Sequence, residues 1–178
     1  RYPAHIMRID RTADLGVKYL SMHAGFIDET DKAHAEKITK RIKLLADAAA
    51  DKGVMFLLET GQESAADLAK FLEKLDHNFV GVNFDPANMI LYNKGNPIQA
   101  VRSFYKDLMT QHVKDGTRTK EPGTWGAEVP WGDGEVGVAE FLKVLDEVGF
   151  EGAMAIEREG GETRFDDIKL AIERLTAV

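Results

Sequence analysis

Four residues of metal-ligand type stand at the ends of short, mostly apolar runs. Met55-Phe56-Leu57-Leu58 leads into Glu59, Phe79 to Phe84 into Asp85, Leu108-Met109-Thr110-Gln111 into His112, and Ala153-Met154-Ala155-Ile156 into Glu157. A fifth run, Val17 to Met22, ends on His23. Three carboxylates and one imidazole make an oxygen-rich set that suits one hard or borderline divalent ion, Mn²⁺ foremost, with Mg²⁺, Co²⁺ or Zn²⁺ as alternatives. The chain has no cysteine, which removes disulfide and thiolate chemistry and leaves His, Asp and Glu as its strong ligands. A lone aspartate before a proline, as in Asp85-Pro86, is more often a turn or cap residue than a ligand. The recurrence of one figure at successive strand ends is what argues for a site.

The runs read as buried strands, each delivering its last residue to a C-terminal tip. Helical patterns separate them. Ile6, Ile9, Ala13 and Leu15 share one side of a first helix closed by Gly16. After the polar loop Asp28-Glu29-Thr30, Ala35, Ile38, Ile42, Leu45 and Ala49 recur at three and four residues until Gly53. Ser64 with Asp67 three residues on is a weak capping box, opening a helix with Leu68, Phe71, Leu72 and Leu75 on its buried stripe. Asn96-Pro97 is a cap followed by proline at the first helical position, and that helix runs through Tyr105. A helix over 138–148 and a last one carrying Ile168, Ala171, Ile172 and Leu175 complete the series. Strand and helix alternate without a hairpin signal, which predicts parallel strands joined by helical crossovers, with all C-terminal ends on one rim. Between Asp115 and Gly137 the periodicity disappears, in a segment rich in glycine that also holds Pro122, Pro130, Trp125 and Trp131. The expectation is an ordered lid over the rim rather than a decorated surface loop.

At 178 residues, with 44% hydrophobic and 30% charged positions, the chain has enough apolar material for a sizeable core. A net charge of −7 argues against nucleic acid as a partner, because phosphate backbones are held by clustered Lys and Arg. No segment approaches the roughly 18 unbroken apolar residues of a membrane helix. The absence of cysteine fits a cytoplasmic protein.

Leu58-Glu59-Thr60, Asn83-Phe84-Asp85, His112-Val113-Lys114-Asp115, Gly132-Asp133-Gly134-Glu135-Val136 and Ile156-Glu157 together resemble the xylose-isomerase-like (β/α)₈ TIM-barrel superfamily. That superfamily includes sugar phosphate isomerases and epimerases, tagatose/psicose 3-epimerases, inosose dehydratases and isomerases, and the endonuclease IV branch. The resemblance implies that Glu59, Asp85, His112 and Glu157 hold one divalent metal, with Glu59 and Glu157 also acting as the acid/base pair. Arg118, six residues after His112, falls where the ketose epimerases keep a substrate-binding arginine. Asn88 stands where several relatives keep a histidine, and His23, Lys114 and Trp125 are the further expected substrate contacts. The family barrel has eight strands over about 250 residues. Only five strand–helix units are found here, so the likeness reads residues 1–178 as one domain made of the last five units, with the first three outside this sequence.

The resulting expectation is a metal-dependent isomerase or epimerase of a small sugar or polyol, working by proton abstraction beside a carbonyl through an enediolate. An inosose-type dehydratase, a lyase, is the runner-up. A DNA-repair nuclease is disfavoured, since its three-metal site needs several further histidines and only His23 and His112 of the five present stand at strand tips. A non-catalytic binding barrel is the remaining class, and a homo-oligomer is compatible with the enzyme reading.

Overall fold

The computed structural model describes residues 2–25, 27, 30–121 and 124–177. Asp28, Glu29 and Pro122, part of the expected polar loop and of the expected lid, lie outside the described residues. The element order is α1 (Tyr2–Asp14), β1 (Tyr19–His23), α2 (Lys32–Ala50), β2 (Met55–Glu59), α3 (Ala65–Leu75), β3 (Val80–Phe84), α4 (Pro86–Leu91) and α5 (Pro97–Phe104). A 3₁₀ turn at Tyr105–Asp107 leads into β4 (Leu108–Val113), β5 (Asp115–Thr117), β6 (Ala127–Val129), α6 (Val138–Glu147), β7 (Ala153–Ile156) and α7 (Arg164–Thr176).

Five strands form one parallel sheet in the order β1-β2-β3-β4-β7, each neighbour in the sheet reached by a helical crossover. A parallel sheet is what alternating strand and helix signals demand, because a parallel neighbour cannot be reached by a tight turn. The caps form as their residue types require. Ser64 Oγ accepts the Asp67 N–H at 3.1 Å, and Asn96 Oδ1 accepts from both Ile98 and Gln99 ahead of α5. Central strand β3 is buried at all five positions, whereas edge strand β1 alternates exposed and intermediate and edge strand β7 is exposed at Ala153, Met154 and Ala155. Strands β1 and β7 are the two edges of this sheet among the described residues.

The main core lies between the sheet and its helices. Phe84 of β3 meets Phe104 of α5 and Phe141 of α6 at ring-centroid distances of 5.3 and 5.8 Å, and all three are buried. Phe84 points to the helices, so its neighbours Asn83 and Asp85 point to the barrel interior, by the two-residue period of a strand.

The segment after β4 departs from the expected loop without regular structure. β5 and β6 pair antiparallel, Asp115 opposite Val129 and Thr117 opposite Ala127. A single buried carboxylate organises the return of the chain. Asp115 accepts the N–H groups of Gly116, Gly132, Gly134 and Val136 at 2.8 to 3.1 Å. A Cβ at Gly134 would stand 2.1 Å from Asp115 Oδ1, so glycine is required there by the close approach. Three-residue strands carry too little periodicity to be read, which is why the hairpin left no signal.

Candidate metal centre

The strand tips converge. Glu59 is the last residue of β2, and Asp85 follows β3 directly, where it also caps α4 by accepting the Asn88 N–H on Oδ1 at 2.9 Å. Asp85 is therefore both a helix cap and a site residue, one oxygen serving each role. Thr60 locks the two tips together, its hydroxyl accepting the Asp85 N–H at 2.9 Å and donating to the Asp85 carbonyl at 3.2 Å. His112 lies within β4, and Glu157 follows β7 with its N–H donated to the Val113 carbonyl at 3.2 Å.

One ligand atom from each of Glu59, Asp85, His112 and Glu157 lies within 4.8 Å of every other. Two ligands on opposite sides of one ion stand about 4–5 Å apart, so this spacing accommodates a single divalent cation. His112 Nδ1 is 2.8 Å from Glu157 Oε2, 3.5 Å from Asp85 Oδ2 and 3.7 Å from Glu59 Oε1. Yet Nδ1 of His112 and Oδ2 of Asp85 are both buried without a hydrogen-bond partner. Buried polar atoms without a well-formed hydrogen bond are costly, and here their remaining partners are the ion-pair contacts of Nδ1 with Glu157 at 2.8 Å and of Oδ2 with His112 and Lys114 at 3.5 Å. The donor set and its orphaned atoms fit a bound cation.

Electrostatics agrees. Burial works against a charged imidazole, but Asp85 and Glu157 outweigh it and push His112 up to about 10. His112 pulls Glu157 down to about 2 against the opposing effect of burial, with help from Lys114. Glu59 moves the other way, raised chiefly by burial although His23 and His112 oppose the shift. The cluster concentrates negative charge and draws positive charge into its centre.

A cavity of about 410 Å³ opens over the cluster, lined by Glu59 and Glu157 together with His23, Asn88, Lys114 and Trp125. These are the expected substrate contacts except one. His23 Nε2 is 3.6 Å from Glu59 Oε1, and the Asn88 amide donates to the Thr60 carbonyl at 3.2 Å and to Glu59 at 3.4 Å. Trp125 is 70% exposed at the mouth and packs on Tyr92, centroids 4.8 Å apart. Lys114 is buried with its ammonium 3.2 Å from Glu157, 3.2 Å from Glu159, 3.5 Å from Asp85 and 3.8 Å from Glu128, so it is a counter-ion to the cluster.

Arg118 does not reach this lining. Its guanidinium donates to Glu135 Oε2 and to the Gly95 carbonyl, both at 3.1 Å, while its backbone N–H also binds Glu135. The pairing follows from the hairpin, which carries Arg118 beside the turn that Asp115 holds. Trp131, the other tryptophan of the expected lid, is a core residue, buried and edge-to-face on Phe141 at 6.3 Å. His77, outside the site, is half-buried and bridges Asp47 and the Phe79 N–H, each at 3.1 Å. Sequence reasoning missed Tyr92, Glu128 and Glu159 in the cavity wall. Glu159 stands two residues after Glu157 and so was within reach. Glu128 lies on β6, which had no pattern to mark it. A wider apolar cavity, lined by His5, Met22, Ile38, Arg41 and others, lies between α1, β1 and α2 and holds none of these groups.

Residues 6–178 match the family described as xylose isomerase-like TIM barrel. The chain belongs to this family. Among solved structures, a xylose isomerase domain protein from Planctomyces limnophilus shares 35% identity at a TM-score of 0.92, covering 99% of this chain and 63% of that one. D-allulose 3-epimerase from Methylomonas sp., in complex with D-allulose, has the same fold at 17% identity and a TM-score of 0.76, over 99% of this chain and 68% of that one. An inosose dehydratase from Clostridium botulinum (strain Alaska E43 / Type E3) is 24% identical over 151 residues, 72% of this chain and 48% of that protein. This xylose isomerase-like chain thus spans about half the length of that curated relative. Among the described residues, no helix is long and apolar enough to cross a membrane.

Proposed function

We propose that this chain carries the metal-binding and acid/base machinery of an isomerase or epimerase acting on a small sugar or polyol. The observation that carries the reading is the convergence of one ligand atom each from Glu59, Asp85, His112 and Glu157 to within 4.8 Å of one another, with His112 Nδ1 and Asp85 Oδ2 buried there without a hydrogen bond. When bound, a divalent cation, Mn²⁺ by preference, would act as a Lewis acid on the substrate's carbonyl and adjacent oxygen. Asp85 and His112 serve as ligands only, since Asp85 also holds α4 and His112 is flanked by neighbouring strands. Glu59 and Glu157 have the second task. One of the two accepts the proton from the carbon next to the carbonyl, and the other returns one from the opposite side. Lys114 keeps the acidic cluster together, His23 and Asn88 offer hydrogen bonds to hydroxyls, and Trp125 with Tyr92 forms an apolar wall that limits water near the enediolate.

A dehydratase has the same first step followed by loss of hydroxide, and the inosose dehydratase relative favours it as the second reading. Incubating the full-length protein with Mn²⁺ and a panel of ketoses and inososes in D₂O separates the two. Epimerisation places deuterium at the inverted carbon, elimination yields an absorbing enone, and neither product from any panel member would overturn both readings.

A further inference from the structure

The four ligand-type residues leave unexplained a polar pair directly behind His112. Asn83 of β3 is 3% exposed, and its amide Nδ2 lies 3.1 Å from His112 Nε2. Its Oδ1 accepts from the Thr110 hydroxyl at 2.7 Å. Asn83 and Thr110 are register partners across the β3–β4 pair, and His112 is two residues beyond Thr110 on the same strand. The three side chains therefore form a hydrogen-bonded row across two adjacent strands, beside the cluster but not part of it.

We propose that Asn83, backed by Thr110, is a positioning residue that accepts a hydrogen bond from His112 Nε2–H and thereby commits Nδ1 to the divalent cation. The inference rests on the proposed function only in taking His112 as a ligand. With the ring neutral and the Nδ1 lone pair given to a cation, the ring's one proton is on Nε2, and Nε2 must donate it. An NH₂ group cannot accept, whereas the amide oxygen can. The two ends of an amide are alike in size, so half a turn about its last side-chain bond presents Oδ1 to the ring without disturbing the packing. Nδ2 then faces Thr110, whose hydroxyl rotates freely and accepts the bond. Every group in the row keeps a partner. The arrangement also fixes the ring plane, because a histidine held at Nε2 by one strand partner can swing Nδ1 only slightly away from Glu59, Asp85 and Glu157.

The test is Mn²⁺ titration calorimetry on wild type, Asn83→Leu, Asn83→Asp and Thr110→Val, with circular dichroism to confirm folding. Asn83→Leu, which can neither donate nor accept, is expected to bind Mn²⁺ about 10–100-fold more weakly. Asn83→Asp accepts from Nε2–H on one oxygen and from the Thr110 hydroxyl on the other, and is expected to bind at least as tightly as wild type. Thr110→Val is expected to fall between wild type and Asn83→Leu. A packing role would make Leu and Asp equally harmful, and equal losses would overturn the proposal while leaving the metal reading intact. Wild type that takes up no Mn²⁺ would overturn both. Nitrogen-15 NMR of the wild-type imidazole with diamagnetic Mg²⁺ is independent of any variant. The proton is expected on Nε2, and a bare Nε2 would refute the assignment.

Discussion

Replacing Lys114 by methionine tests whether the cluster is built around positive charge. The side chain is 3% exposed, and its ammonium lies between Glu157 and Glu159 at 3.2 Å, Asp85 at 3.5 Å and Glu128 at 3.8 Å. Burial alone would depress the Lys114 pKa, but these carboxylates, Asp85 first, raise it instead, so the lysine is charged in the folded protein. Glu159 is 72% exposed and its share of the stabilisation is that of a surface pair, about 0–1 kcal/mol. Asp85 and Glu128 are 0% and 11% exposed, and removing the partner of buried charges costs about 3–5 kcal/mol. Methionine preserves the length and apolar stem, so the change isolates the charge. At about 2–4 °C per kcal/mol for a chain of this size, melting with a chelator present should fall by about 6–20 °C. Adding Mn²⁺ should then raise the melting temperature more in Lys114→Met than in wild type, because the cation neutralises the same oxygens and binds only the folded chain. Thermal unfolding by circular dichroism, with chelator and with Mn²⁺, measures both quantities. A chelated loss below about 1 kcal/mol, or an equal response to Mn²⁺ in the two proteins, would refute the reasoning.

Other variants probe separate links. Asp85→Asn retains a side-chain oxygen for the α4 cap and should lose Mn²⁺ binding, whereas Asp85→Ala should cost about 1 kcal/mol more in chelated stability than Asp85→Asn through the lost cap; equal stability of the two, by denaturant titration, would deny the double role. Glu157→Gln keeps an oxygen ligand but cannot accept a proton at neutral pH, so turnover should disappear while metal content, measured alongside, stays near wild type. Glu63 is 4% exposed and burial pushes its pKa from the ordinary 4.5 up to about 7, against the loop N–H groups and Lys94. A raised carboxylate pKa means that its contribution is complete below pH 4.5 and is lost as pH rises towards 7, so Glu63→Gln should gain stability relative to wild type across that interval, by on the order of 3 kcal/mol. A pH-independent difference in melting temperature would contradict it. Arg118→Ala should lower kcat/KM by less than tenfold, reflecting a loosened hairpin, and a larger fall would show that the guanidinium leaves Glu135 to reach the substrate.

The sequence by itself determined the alternation of parallel strands with crossover helices and the four convergent residues, and the reason is local, whereas the barrel was implied by the family resemblance. A parallel strand is a short apolar run, a crossover helix is a three-and-four stripe, and a single hand of connection puts every strand end on one rim. Glu59, Asp85, His112 and Glu157 needed no knowledge of contacts to be placed together, and the Asp85-Pro86 break marked its own position in the rim. Tertiary structure alone decided the rest. Arg118 was drawn to Glu135 across 17 residues, Asp115 gathered four N–H groups from up to 21 residues away, and Glu128 came to the cavity from a strand too short to show a period. Asn83 could be placed on the inward face of β3, but that its amide would meet Thr110 and His112 depended on the register between β3 and β4, which includes an irregularity at Val82/Asn83. Periodicity reports which face a residue occupies, and hydrogen-bond partners across elements follow only once those faces are brought to within about 3 Å of each other.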